Sequence, residues 1–369
     1  MNTISNDDQQ YRRTAIDYAK ALGIIVVVIG HYSNNIFNVM TPYMYHMPLF
    51  FMIGGIVFNE NKKPLQFLSI ISRKFFFYIV IVDMFLLLVS YLIQESTGIS
   101  GLYKAQSSIY DYAIYFLNTN MHISFLFLVS WFLFAYAMAS ILLYCYLRIT
   151  KHLNRTAKSI LSVLTIIACG WVSIDYLAVA YKSEWNILNN YGSQILFALS
   201  FMLIGKTFKD LIFKSPSLLW MCLAFLLVIT MRRLGLSGDI GVSWSNYKHG
   251  FLMTYVQILL CSYIVFSLSC MLSKAIKSKT ILYIGRESKC IMSFHLLAFI
   301  LLDIIFGWMG MYEIGKAKAL SHFSDPLYWP VYIVAGIVIP IIINLAILAL
   351  RKYLVDMAGN LIKTRKPAI

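Results

Sequence analysis

The chain has 369 residues, 60% of them hydrophobic and 13% charged, with a formal net charge of +15. Soluble globular domains average about 45–50% apolar and about 25% charged residues, so this composition excludes a soluble globular enzyme, a disordered chain and a collagen-like fibre. Apolar runs of about 18–22 residues recur, the length a helix needs to cross a ~30 Å hydrocarbon core, and the period-two alternation of an outer-membrane barrel is absent. The sequence therefore reads as an all-α, polytopic integral membrane protein.

In chain order, a polar N-terminal segment with Asp7 and Asp8 lacks the pattern of a cleavable signal. Ten spans are then expected, at 14–34, 42–58, 75–93, 123–147, 160–180, 191–208, 217–231, 251–272, 290–310 and 329–350. Pro48 and the pair Gly54–Gly55 predict a break or kink in the second. Lys and Arg gather in the N-terminal segment, in loops 59–74, 148–159, 206–216 and 273–289, and in the C-terminal tail, while the alternate loops hold few. The positive-inside rule then puts both termini in the cytoplasm. The long loops on the opposite side, 94–122, 232–250 and 311–328, are rich in Tyr, Trp, Ser, Asn and Gly, and 109–117 has the pattern of an interfacial amphipathic helix. One membrane domain, 1–350, and a basic cytoplasmic tail, 351–369, account for the chain. The basic excess needs no nucleic acid: cytoplasmic loops account for it, and it suits an anionic ligand or lipid headgroups as well. The six cysteines lie in or beside apolar runs without CxxC spacing and read as small packing residues.

Ionisable groups inside a span are costly and point to function by default. The first span holds Arg13, Asp17, Lys20 and His31, and the spacing lets the first three pair on one face. Lys20 and His31 are eleven residues apart, which returns to nearly the same helix face ~16 Å further along the axis. A purely structural role would make Lys20 a snorkelling lysine and His31 a ring bonded to a neighbouring helix. The second span opens at His46, at a depth close to that of His31; two imidazoles at one depth suit proton transfer. No HExxH accompanies them and no metal site is expected. Arg73 opens the third span. The turn Gly285-Arg286-Glu287-Ser288-Lys289 offers backbone N–H groups and two cations to a phosphate, and His295 follows about one turn into the ninth span. Asp83, Asp175 and Asp303 read as partners between helices, with no chemistry assigned.

Lys20 with His31, followed by His46-Met-Pro-Leu-Phe-Phe51, resembles the N-terminal signature of acyltransferase family 3, membrane-bound O-acyltransferases of bacterial surface carbohydrates. Arg73, the Trp131-Phe-Leu segment, and Gly285 through Ser288 with His295 fit its later blocks; Gly54 departs from the serine common before the second glycine. The sugar O-acetylating branch is the most similar. The resemblance implies ten helices in a bacterial inner membrane, with acetyl-CoA as co-substrate, no permanently bound cofactor, and a free or lipid-linked carbohydrate acceptor. It implies His31 as general base with His46 beside it, and Lys20, Arg73, Arg286 and His295 on the CoA side. Arg13, Asp17, Gly54, Gly55 and Trp131 support the site, the Gly54–Gly55 backbone as donors to the oxyanion. Membrane lipids and a second copy of the chain are compatible partners; nucleic acid is not expected. The rival readings are a transporter or flippase of a glycolipid or small anion, although no inverted halves are visible, and a non-catalytic scaffold.

Overall fold

The computed structural model describes residues 6–32, 39–214 and 216–364, with side chains from 7 to 357 within that range. The end of the first expected span and the last residues of the tail lie outside that range. The described residues are almost wholly helical and contain no named strand, only three isolated bridges in loops.

Helix α1 (Asn6–Gly30) leads through a 3-10 turn, Pro42–Met44, into α2 (His46–Ile56). Helices α3 (Pro64–Ile71) and α4 (Phe77–Thr97) are joined by a π-helical turn, Ser72–Phe76, and form one rod. The short α5 (Ile109–Asn118) precedes α6 (Ser130–Ile149). A second π turn, Val172–Leu177, links α7 (Arg155–Trp171) to α8 (Ala178–Glu184). Then come α9 (Ile187–Lys214), α10 (Leu218–Arg233), α11 (Gly250–Ala275), α12 (Lys279–Arg286), α13 (Ser288–Trp308) and α14 (Trp329–Thr364). Side-chain caps start several of them: Ser108 accepts from the Asp111 N–H, Asn154 from Ala157 and Ser278 from Ile281, each satisfying an orphan donor of a first turn. Gly98 in the left-handed region ends α4.

The described part of each expected stretch is mostly helical, but the helices differ in length and apolarity. Among the described residues, six helices are long and apolar enough to cross a membrane: Pro64–Thr97, Ser130–His152, Arg155–Glu184, Gly250–Ala275, Ser288–Trp308 and Trp329–Met357. Helices α1 and α9 have the length but carry charged and polar residues along it, and α10 has 16 residues. The second expected span needs correcting. Helix α2 has 11 residues, ~16 Å of rise, and cannot cross a ~30 Å core. It is a half-helix held inside the bundle, buried from His46 to Gly55. The kink expected there is absent as well: Pro48 stands in the first turn of α2, where an amide has no intrahelical partner to lose. At the other end of the chain, α14 runs past residue 350 without a break, so Arg351 and Lys352 continue the last helix.

Close helix contacts place the site. A Cβ on Gly55 would overlap the Met202 carbonyl of α9, and one on Gly205 would overlap the Met52 carbonyl of α2. The two glycines let α2 and α9 touch backbone to backbone, as small residues do at membrane helix crossings. Gly285 of α12 meets the Asp17 carbonyl in the same way. Helix α1 is thereby lodged among α2, α11, α12 and α13.

Candidate functional site

The first functional group assembles near the middle of α1. Lys20 Nζ lies 3.1 Å from Asp17 Oδ1, and Arg286 Nε lies 3.5 Å from Asp17 Oδ2. Asp17 thus joins two cations from segments far apart in sequence. Arg13, expected in this pairing, is exposed. Its neighbour Arg12 forms the ion pairs of that turn, with Asp8 at 3.3 Å and Asp210 of α9 at 2.7 Å. Three residues beyond Arg286, Lys289 donates to the Lys74 carbonyl at 2.6 Å, with its ammonium 3.2 Å from the ring centre of Tyr78. Arg73 is exposed on the π turn beside Lys74. Two partly exposed basic groups result, Lys20 with Arg286 on Asp17 and Lys289 beside Lys74 and Arg73, each suited to phosphate.

The second group lies at the end of α1, in a cavity of about 290 Å³. His31 stands immediately after the helix, half-buried, with Nδ1 3.2 Å from the Tyr43 hydroxyl. Its ring centre is 4.9 Å from that of His295. His46 packs edge-on against Tyr43, ring centres 5.1 Å apart. Two of the three tautomers follow from geometry. His46 Nδ1 is 2.5 Å from the Pro42 carbonyl, and His295 Nδ1 is 2.9 Å from the Met292 carbonyl. A carbonyl only accepts, so in each ring Nδ1 carries the proton and Nε2 presents a lone pair. His295 Nε2 is buried without a hydrogen-bond partner. His31, His46, His295 and Trp131 all line the cavity.

This placement changes three expectations. His295, expected with the CoA phosphates one turn into its span, is two turns into α13 and sits against His31. Gly54 and Gly55 do not line the cavity. Their N–H groups belong to the interior of α2; Gly54 packs under the Tyr136 ring and Gly55 on the α9 backbone, so neither offers a donor to an oxyanion. Arg13 stays apart from the pairing of Lys20 with Arg286 across Asp17. Trp131, by contrast, is a wall residue of the cavity, 6% exposed.

Several residues of the site carry no signal in the sequence. Tyr43 is a hydrogen-bond partner of His31, and only its place three residues before His46 points to it. His122, Asn120, Ser243 and Trp244 close the cavity from loops without a motif. Behind it, His322 Nδ1 pairs with Asp303 Oδ2 at 2.8 Å, and Asp303 also accepts from Tyr332 Oη at 2.5 Å and the Phe323 N–H at 3.0 Å. Tyr32 donates to the Phe323 carbonyl at 3.0 Å, so this buried unit anchors the residue next to His31.

Helices long and apolar enough for a membrane and a histidine-lined cavity within their bundle describe a membrane protein. A family model described as an acyltransferase domain matches residues 13–345. The chain belongs to this family, acyltransferase family 3, and is a membrane acyltransferase. No curated protein and no solved structure gives a significant match.

Proposed function

We propose that the protein moves an acetyl group from cytoplasmic acetyl-CoA to a hydroxyl of a cell-surface or lipid-linked carbohydrate, in a bacterial inner membrane, with His31 as general base. The observation that carries this reading is the half-buried His31 in a cavity between Tyr43 and His295, at the far end of the helix whose Asp17 joins Lys20 to Arg286. Acetyl-CoA is polyanionic and cytoplasmic, which suits the basic groups; the acceptor is reached from the loop-covered side.

For His31 to act as base at Nε2, Nδ1 must hold the proton and donate it to Tyr43 Oη. The acceptor oxygen then attacks the thioester carbonyl while its proton passes to His31 Nε2. Collapse of the tetrahedral intermediate breaks the carbon–sulfur bond, and the departing thiolate takes the proton from the imidazolium. His46 and His295, each fixed by an Nδ1–H bond to a backbone carbonyl, line the cavity beside His31 and orient the acceptor. Tyr43→Phe removes the acceptor that fixes the His31 tautomer. Its expected effect is a fall in kcat of about tenfold, the scale of one hydrogen bond, with KM for acetyl-CoA unchanged in steady-state assays.

Lys20 and Arg286 neutralise CoA phosphates in this reading. Lys20 already shares Asp17 and is partly exposed, so Lys20→Ala should raise KM for acetyl-CoA by about tenfold and leave kcat within about twofold. An unchanged KM would remove Lys20 from the donor site. The whole reading is tested by supplying isotope-labelled acetyl-CoA to membrane vesicles with and without the protein, then analysing the surface polysaccharide by mass. Label appears in a carbohydrate only when the protein is present. Label that stays out of carbohydrate refutes the acceptor class.

A further inference from the structure

An apolar groove of about 630 Å³ lies between α10 and its neighbours α9 and α11, walled by Leu223 and Leu227 of α10, Ile212 of α9 and Leu260 of α11. It follows α10 from Trp220 to Thr230, ~15 Å of helix. No charged residue lines it among those described. Leu226 and Leu227 are more than half exposed here, beside a helix long and apolar enough to cross a membrane, so the groove opens on hydrocarbon.

The groove ends at a pair of cations. Leu226, Thr230 and Arg233 stand at i, i+4 and i+7 on α10, so Arg233 continues the groove face one turn beyond Thr230. Arg233 is exposed; Arg232 is half-buried, with Nη1 4.0 Å from Met44 Sδ. Neither makes an ion pair among the described residues. Every other arginine of the chain lies in the N-terminal segment, a basic loop or the C-terminal tail, so this pair stands against the positive-inside pattern. One cation would complement the C-terminus of α10; a second, unpaired beside it, is left for an anion, and the guanidinium fork matches phosphate. The same end of α10 leads to the histidine cavity. Met44 follows Tyr43, the partner of His31. The Ile240 N–H donates to the Tyr43 carbonyl at 3.2 Å, and the Gln257 amide donates to the Met44 and Gly238 carbonyls at 3.2 and 2.8 Å. Ile240, Gly241 and Val242 then form part of the cavity wall.

Groove, arginine pair and cavity thus follow one another in the order of the tail, phosphate and head of a lipid phosphate. We propose that the α10 groove and the Arg232–Arg233 pair bind the acceptor as a lipid phosphate, its hydrocarbon tail along α10, its phosphate on the two guanidinium groups, and the group it carries directed past Met44 to His31. The proposal rests on the lipid-linked form of the acceptor reading above and supplies the site for the lipid. Bulk lipid also wets such a groove, but a zwitterionic or uncharged lipid gives the arginine pair no net anion to neutralise.

The test titrates the full chain, in phosphatidylcholine nanodiscs, with farnesyl phosphate, farnesol and phosphatidylglycerol, and reads bound lipid by native mass spectrometry. Farnesyl phosphate is expected to bind at least about tenfold more tightly than farnesol, the scale of a charge-assisted hydrogen bond. Arg232→Gln and Arg233→Gln should each raise its Kd about tenfold, and Arg233→Lys should recover part of the loss. Leu227→Trp, which fills the groove, should weaken farnesyl phosphate and farnesol alike, while Kd for CoA stays within about twofold in every variant. Equal affinity for farnesol and farnesyl phosphate, or an unchanged Kd in both glutamine variants, overturns the site. Phosphatidylglycerol that displaces farnesyl phosphate at equal concentration assigns the groove to any anionic lipid and overturns it as well. So does a loss of CoA affinity that matches the loss of farnesyl phosphate, because the arginines would then be holding the fold. The acceptor reading fails separately: label from acetyl-CoA that stays out of carbohydrate refutes it whatever the groove binds, and a groove that ignores its arginines leaves it intact.

Discussion

Replacing His31 by alanine is expected to lower kcat by ~10²–10⁴, the range a well-placed general base supplies, while the protein accumulates normally and binds CoA with unchanged affinity. The two halves of this expectation have separate physical grounds. The ring of His31 is half-buried at the end of α1 and is not among the large side chains that fill the core, so its removal enlarges a cavity without opening the bundle. CoA affinity should hold because Lys20, which meets Arg286 at Asp17, lies ~16 Å back along the same helix. Steady-state kinetics with labelled acetyl-CoA, beside equilibrium CoA binding, measure both. Residual turnover above about a tenth of wild type would remove the base assignment. The informative comparison is His295→Ala. His295 also presents a bare Nε2 and lies 4.9 Å from His31, so a near-normal His31→Ala with a dead His295→Ala would transfer the role to it.

What the sequence discloses follows from helical geometry. Lys20 and His31 belong to one continuous rise of the chain, so a count of residues fixes their separation and facing. His46 is legible because an imidazole at the start of an apolar stretch is costly to bury without a task. Depth is harder to read. The hydropathy boundary near residue 290 puts His295 one turn into its span, whereas α13 starts at Ser288, and an error of two residues is ~3 Å of depth. More is lost where two distant segments meet. Nothing near Asp17 signals Arg286, and nothing near Asn120 signals Ser243; both pairs exist only once the helices are packed. The apolar stretch 42–58 is long enough to read as a span because hydropathy does not distinguish a helix in lipid from a half-helix wrapped in protein.

The Gly54–Gly55 pair shows that last ambiguity in a testable form. As backbone donors, these residues would tolerate added side chains that keep their N–H groups. As packing residues they would not, and the structure supports packing. Gly55→Val and Gly205→Val are each expected to abolish accumulation of folded protein, with destabilisation above ~3 kcal/mol, because overpacking here drives a side chain into a carbonyl of the facing helix. No truncation of Met202 or Met52 should rescue them, since the obstacle is main chain and not side chain. Gly54 is the contrasting case. The three atoms nearest its Cβ would all belong to the Tyr136 side chain, hydroxyl first, at 2.6–2.8 Å, and a side chain can shift or be removed. Gly54→Ala should therefore cost ~1–2 kcal/mol and be relieved by Tyr136→Ala introduced with it. Thermal unfolding of detergent-extracted protein, followed by size-exclusion chromatography, reads all of these variants. If Gly55→Val accumulated and melted like the wild type while losing only turnover, the backbone contact between α2 and α9 would not be what holds His46 in the cavity wall.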